Sequence, residues 1–150
     1  MARRRLLERS FDAPCALEAA WARLARLDDW PSWARHIRQI DVAPAGPLGP
    51  ATSGVIRLAN GLRSRFTMTA FEPLRRWEWS GPFLGLAIHY DHRFDAIGAD
   101  VTRLTWTVAA EGRLAALLGP LFAAIYARQL DRAIARLQGS WPPAAAPQPA

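Results

Sequence analysis

The sequence predicts an α+β domain: a curved antiparallel sheet of about seven strands wrapped on one long C-terminal helix, with two short helices after the first strand. Three observations predict it. From Leu114 to Gln138 apolar residues recur at helical spacing, with Phe122, Tyr126, Leu130, Ala133 and Leu137 on one stripe and Arg128, Arg132 and Arg136 on another. The preceding part of the chain keeps a mostly two-residue rhythm instead. Turn signals at hairpin spacing punctuate that rhythm: Asn60-Gly61, Glu72-Pro73, Gly81-Pro82 and Gly98-Ala99-Asp100. A long amphipathic helix after a run of strands has only the sheet to lie on, and a curved sheet gripping a helix can leave a cavity between them.

The elements follow in order. Leu6 to Phe11 reads as the first strand, ended by Asp12-Ala13-Pro14. Leu17 to Leu27 reads as a helix with Leu17, Trp21, Leu24 and Leu27 on one side, and Asp28-Asp29 breaks it. Trp30-Pro31-Ser32-Trp33 opens a second short helix running to about Ile37. Ile40 to Val42 is a short strand, and the run from Pro44 to Pro50 is too rich in Pro and Gly to be anything but a loop. Five strands follow: Gly54–Ala59, Leu62–Phe71, Arg76–Ser80, Leu86–Phe94 and Thr102–Ala110. The long helix closes the domain, with a kink or restart expected at Gly119-Pro120.

Composition narrows the class. At 150 residues, with 51% hydrophobic and 21% charged, the chain is one globular domain over residues 1–140. The remainder, 141–150, is a Pro/Ala tail expected to be disordered. The net charge is +6 and every basic residue is Arg. These arginines are spread from Arg3 to Arg136, often beside an acid, whereas a nucleic-acid surface concentrates its charge on one face. Nucleic acid is therefore not an expected partner. Cys15 is the only cysteine, so no intrachain disulfide forms, which fits a reducing cytoplasm. Glu8, Arg9 and Asp12 interrupt the apolar segment a signal peptide needs, and Leu114–Ala127 falls short of the ~20 residues of a bilayer span. The expectation is a soluble cytoplasmic protein without an integral membrane segment, monomeric or homodimeric.

Four passages carry a family resemblance. Glu8-Arg-Ser-Phe-Asp-Ala-Pro14 precedes a Trp-bearing helix; Leu27-Asp-Asp-Trp-Pro-Ser-Trp33 forms a short second helix. Phe71-Glu-Pro-Leu-Arg-Arg-Trp-Glu-Trp79 forms a central hairpin, and Thr102-Arg-Leu-Thr-Trp-Thr107 a last strand. Together these resemble START-like, helix-grip proteins of the SRPBCC superfamily, near the polyketide cyclase/dehydrase group, over about residues 5–138. The resemblance implies a helix-grip fold and an apolar ligand, lipids included, held between sheet and C-terminal helix. It supplies no universal catalytic motif to carry over onto this chain.

Strand alternation says which side chains face such a cavity. Leu104, Trp106 and Val108 share one face of the last strand. Ile88, Tyr90, His92 and Phe94 share one face of the strand before it, with His89, Asp91 and Arg93 on the other. Trp77 and Trp79 point one way and Glu78 the other; Phe66 and Met68 point inward. The expected ligand-binding residues are Phe66, Met68, Trp77, Trp79, Tyr90, His92, Trp106, Phe122 and Tyr126, with Trp30, Trp33 and Phe83 at the cavity mouth. Each aromatic residue has core packing as its alternative role. Tyr90 and His92 are the polar pair on this surface: they orient a ligand, act as acid and base, or are core residues bonded to backbone. His89 and His92 point to opposite faces and cannot share a metal, and no cluster has zinc spacing, so no metal or other cofactor is expected. The leading reading is binding of a small, mostly apolar molecule. The alternatives are a polyketide aromatase/cyclase-type enzyme using His92 and Tyr90 as acid/base groups, and a protein-interaction module with a filled pocket.

Overall fold

The computed structural model describes residues 2–142. In chain order the elements are β1 (Arg4–Ala13), α1 (Leu17–Leu24), a 3₁₀ helix (Leu27–Ser32), β2 (Ile37–Ala43), β3 (Ser53–Leu58), β4 (Arg63–Glu72), β5 (Arg76–Phe83), β6 (Leu86–Gly98), β7 (Val101–Glu111) and α2 (Ala115–Gly139). The strands form one curved antiparallel sheet in the order β1-β7-β6-β5-β4-β3-β2. β1 and β2 are consecutive in sequence yet sit at opposite edges. The chain between them must therefore cross one face, where α1 lies on β6 and β7 and the 3₁₀ helix on β2. α2 returns over the same concave face, packed on β1 and β7.

At two glycines a neighbouring strand comes too close for a side chain. A Cβ on Gly54 would stand 2.1 Å from the Asp41 carbonyl oxygen, and one on Gly81 would stand 2.3 Å from that of Arg65. At both places a neighbouring strand's backbone occupies the space a side chain needs, so only Gly fits there. The hairpin turns are tight. Leu84 (φ 47°) and Gly85 (φ 82°) join β5 to β6 with both central residues left-handed, as a two-residue hairpin turn of the primed type requires. Pro73 and Leu74 (φ 63°) join β4 to β5 at the other end, closed by Arg75 N–H donating to the Glu72 carbonyl at 3.0 Å.

The inward parity read from the sequence holds on every strand of the sheet's centre. Phe66, Met68, Trp77, Trp79, Ile88, His92, Phe94, Leu104, Trp106 and Val108 are all buried on the concave side. The opposite residues point to the convex side, but they are less exposed than alternation suggests. Glu78, His89 and Asp91 are buried there by mutual pairing. Arg3 and Thr69 donate to Glu78 at 2.8 and 2.7 Å, His89 Nε2 meets Glu111 at 2.9 Å, and Arg76 and Arg93 donate to Asp91 at 3.0 and 2.9 Å.

Differences from the sequence expectation are local. α1 stops at Leu24, and the second helical stretch is a 3₁₀ turn over Leu27–Ser32 rather than a helix to Ile37, with Pro31 inside it. α2 is continuous from Ala115 to Gly139 with Pro120 inside it, where its missing N–H leaves the Ala116 carbonyl without a helical partner. Gly119 lets this helix approach β1, since an added Cβ would lie 2.9 Å from a Leu6 methyl. Trp141, assigned to the tail in the sequence reading, packs on the core and lies under the Arg23 guanidinium at 4.4 Å. The remainder of that tail, 143–150, lies outside the described residues.

Candidate ligand-binding site

The concave face divides into three regions. The middle is filled with aromatic rings. Trp77 stacks on His92 at 5.1 Å, Trp79 and Trp30 reach the same imidazole at 4.8 and 5.7 Å, and Trp106 closes it edge-on at 5.7 Å. Phe66 packs on Trp79 at 4.8 Å and Trp33 on Trp30 at 4.9 Å. Local sequence explains the positions: the 3₁₀ turn places Trp30 over the sheet, where its indole N–H donates to the Leu24 carbonyl at 2.9 Å. Strand pairing sets His92 opposite both Trp77 and Trp106.

This packing decides what His92 can do. Burial pushes its pKa down to about 4, and its Nδ1 is buried without a hydrogen-bond partner. The imidazole is neutral at pH 7 and sealed by indoles. Trp30 and Trp33, expected at a cavity mouth, are 5% and 1% exposed and belong to the same packed cluster.

The second region is the seam between two buried clusters. The larger cluster holds the tryptophans, α1 and the last turns of α2; the smaller holds Leu86, Ile88, Val108, Ala110, Ala115 and Phe122. Tyr90 and Tyr126 border both. Their rings are 5.9 Å apart; Tyr126 stacks on Phe122 at 5.3 Å, and Phe122 meets Phe83 at 4.9 Å. Burial pushes the Tyr126 hydroxyl up to about 12 and that of Tyr90 further in the same direction, with Tyr126 adding to the effect. Both phenols are protonated donors at neutral pH. Both side chains nonetheless keep accessible surface, and neither hydroxyl makes a hydrogen bond among the described residues.

The inward face of the sheet continues onto β3. Phe66 pairs with Gly54, so Ile56 and Leu58 share its inward face, yet both are only half-buried. α2 makes its main contacts with β1 and β7, at the other side of the sheet. His36, half-buried, stands edge-on to Tyr126 at 6.1 Å, its pKa lowered by burial and by Arg136. Tyr90, Phe122, Tyr126 and Phe83 thus form an aromatic seam carrying two hydroxyls, and neither of the two clefts of the described residues includes them. His36, Ile56 and Leu58 join them without having been singled out; the inward parity of β3, set by its pairing with Phe66, was the signal available.

The third region is a cleft of about 350 Å³ at the β2 edge, between Leu27 and Asp28 on one side and Ile40, Val42, Leu48 and Thr52 on the other. It is of ligand size, but none of the residues expected from the sequence lines it. A second, shallower cleft of about 470 Å³ lies between α1 and Ser140. Cys15 is half-buried with its thiol pKa raised by burial, which disfavours the thiolate. Among the described residues no group of three or more His, Cys, Asp or Glu is placed to hold a metal ion, and no helix is long and apolar enough to cross a membrane.

Comparison with known proteins resolves the family. The model of the family described as "Polyketide cyclase / dehydrase and lipid transport" matches residues 4–138. The chain belongs to this family. Its fold recurs in a START superfamily protein from Mycobacterium smegmatis, at 13% identity and a TM-score of 0.68, covering 91% of this chain and 97% of that one. It recurs in ginseng major latex-like protein 151 from Panax ginseng, at 12% identity and a TM-score of 0.73, covering 94% and 99%. It recurs again in norcoclaurine synthase from Thalictrum flavum, solved with dopamine and hydroxybenzaldehyde, at 10% identity and a TM-score of 0.65, covering 91% and 86%. At these identities the likeness is one of fold. No curated protein matched the chain in sequence.

Proposed function

We propose that this polyketide cyclase/lipid transport family member binds a small, mostly apolar molecule carrying one or two hydrogen-bonding oxygens in the groove between α2 and the β3 side of the sheet. The observation that carries this reading is the Tyr90–Tyr126 pair: two protonated phenols, 5.9 Å apart ring to ring, with unpartnered hydroxyls on an apolar wall. Neither hydroxyl bonds another protein group and both side chains keep accessible surface, so a carbonyl or hydroxyl can replace water there while its apolar body covers the aromatic wall. The family description, which includes lipid transport, and the fold it shares with a synthase solved around two aromatic molecules support the same class of ligand.

Binding is favoured over acid/base catalysis because of His92. Enclosed by Trp30, Trp77, Trp79 and Trp106, it has no path to a molecule in the groove, and Tyr90 alone is too weakly acidic to exchange protons readily near pH 7. Titration with N-phenyl-1-naphthylamine, read by energy transfer from Trp, tests the proposal. Saturable one-to-one binding is expected. Ile56→Trp, which fills the groove from β3, should abolish it. Tyr126→Phe should weaken an oxygen-bearing ligand about fivefold, the worth of one neutral hydrogen bond. No saturable binding, or binding indifferent to Ile56→Trp, refutes the proposal.

A further inference from the structure

Of the eight large apolar side chains exposed among the described residues, Leu74 and Ile97 lie at one end of the sheet and the other six lie on α2 or at the opposite end. Leu114, Leu117, Leu121 and Ile125 follow one another along α2 at spacings of three and four and are 48–71% exposed. Leu84, 64% exposed, tips the β5–β6 hairpin, which Phe83 holds against α2 through Phe122 at 4.9 Å. Leu62, also 64% exposed, lies in the β3–β4 turn at the same end of the sheet. The outward line of α2 then changes character: Arg128, Arg132 and Arg136 continue it at the same spacing. Exposed Arg4, Arg35, Arg63 and Arg113 flank this end, and among the described residues none of them has an acidic partner within salt-bridge distance. The one acid of α2, Asp131, is held by Arg9 at 2.7 Å.

We propose that this end docks on the surface of an anionic lipid bilayer. The leucine face of α2 and Leu84 enter the boundary between headgroups and acyl chains, and the arginines lie against lipid phosphates. An amphipathic helix with an apolar stripe and basic flanks binds such a surface through buried apolar area plus charge. Charge selects this occupant over a second copy of the chain. Parallel pairing of two α2 helices sets Arg128, Arg132 and Arg136 against themselves, and antiparallel pairing sets them against leucines. Leu84 points the same way. It holds a left-handed backbone (φ 47°) that Asn or Gly adopts more easily, so its side chain is kept at a local conformational cost. The inference rests on surface residues and stands apart from whether the groove holds a ligand.

Vesicle co-flotation tests it, with phosphatidylcholine vesicles containing roughly a third phosphatidylglycerol, against phosphatidylcholine alone. Partition onto the anionic vesicles is expected, falling as salt shortens the Debye length from ~10 to ~3 Å. Leu117→Ser/Leu121→Ser should lower the partition coefficient about tenfold or more. Leu84→Asn relaxes its turn, so it should keep or raise the melting temperature and still weaken partition. Leu74→Asn relaxes the equivalent left-handed position at the opposite end and should leave partition unchanged. Absence of anionic binding, retention of binding by the Leu117/Leu121 variant, or equal loss in Leu74→Asn overturns the proposal. So does a concentration-dependent dimer that the Leu117/Leu121 variant dissolves, which assigns the face to a second copy. Naphthylamine titration of the same variants reads the groove separately.

Discussion

Replacing His92 by Phe tests whether this residue is a core group or a working acid or base. In the folded protein burial holds its pKa at about 4, against an ordinary value of 6.5. The sign follows from which state binds the proton. Between those two values the unfolded chain takes up a proton that the folded chain refuses, so His92 costs stability progressively as pH falls from 6.5 toward 4. Integrated to pH 4, the difference is about 3 kcal/mol, each pKa unit counting about 1.4 kcal/mol. Phe keeps an aromatic ring among Trp30, Trp77, Trp79 and Trp106 and removes a buried Nδ1 that has no partner. At pH 7 its stability should therefore stay within about 1 kcal/mol of the parent or rise. Denaturant unfolding followed by Trp fluorescence, from pH 7 to pH 4, measures both quantities. His36, whose pKa is also lowered, contributes to each protein alike and cancels in the comparison. The parent should lose about 3 kcal/mol relative to the variant on going to pH 4. Parallel pH profiles would mean that the imidazole titrates freely and is open to solvent, and the sealed-core account of His92 would be wrong.

Three further outcomes follow from the scaffold. Gly81→Ala places a methyl 2.3 Å from the Arg65 carbonyl oxygen and should destabilise by more than about 2 kcal/mol in denaturant unfolding, whereas Gly119→Ala meets only a Leu6 methyl at 2.9 Å and should cost less. Burial works to raise the Glu78 carboxyl pKa, but hydrogen bonds from Thr69 and Arg3 outweigh it and hold the group below its ordinary value. Its contribution is thus present above pH 4.5 and lost as pH falls through the folded value, so Glu78→Gln should cost about 3 kcal/mol at pH 7 and progressively less in acid. Asp131→Asn breaks a largely exposed ion pair between β1 and α2 and should shift stability by no more than about 1 kcal/mol.

The fold was legible because its two periods are clean. Alternation along β4 to β7 put Phe66, Trp77, Trp79, His92 and Trp106 inward, and pairing did put them there. The Asn60-Gly61 signal lies at a chain reversal and the stripe through Phe122, Tyr126 and Leu130 is the side of α2 that meets the sheet, whereas Gly81-Pro82, expected to break the strand, is paired inside β5 and the reversal comes at Leu84-Gly85. Parity says which face a side chain takes, not whether the face is filled. Trp30 and Trp33 read as rim residues because they follow a helix break beside a loop. The 3₁₀ turn instead folds them onto Trp79 and Trp106, an arrangement that depends on contacts far apart in sequence. His36, Ile56 and Leu58 were not singled out for the converse reason. Nothing local marks His36, whose place beside Tyr126 follows from where α2 crosses the sheet, whereas the inward face of Ile56 and Leu58 is set by the pairing of β3 with Phe66. Glu78, His89 and Asp91 take the outward face that alternation assigns them, but only the cross-strand register reveals the ion pairs that bury them.

An apolar molecule bound beside Tyr90 and Tyr126 should survive gentle purification. Native mass spectrometry of freshly purified protein measures this most directly. A fraction of the protein should carry one non-covalently bound small molecule, released on denaturation, apolar by extraction and absent from Ile56→Trp. A protein population at the bare chain mass that also fails to retain any added apolar compound would contradict it, as would a bound molecule retained unchanged by Ile56→Trp.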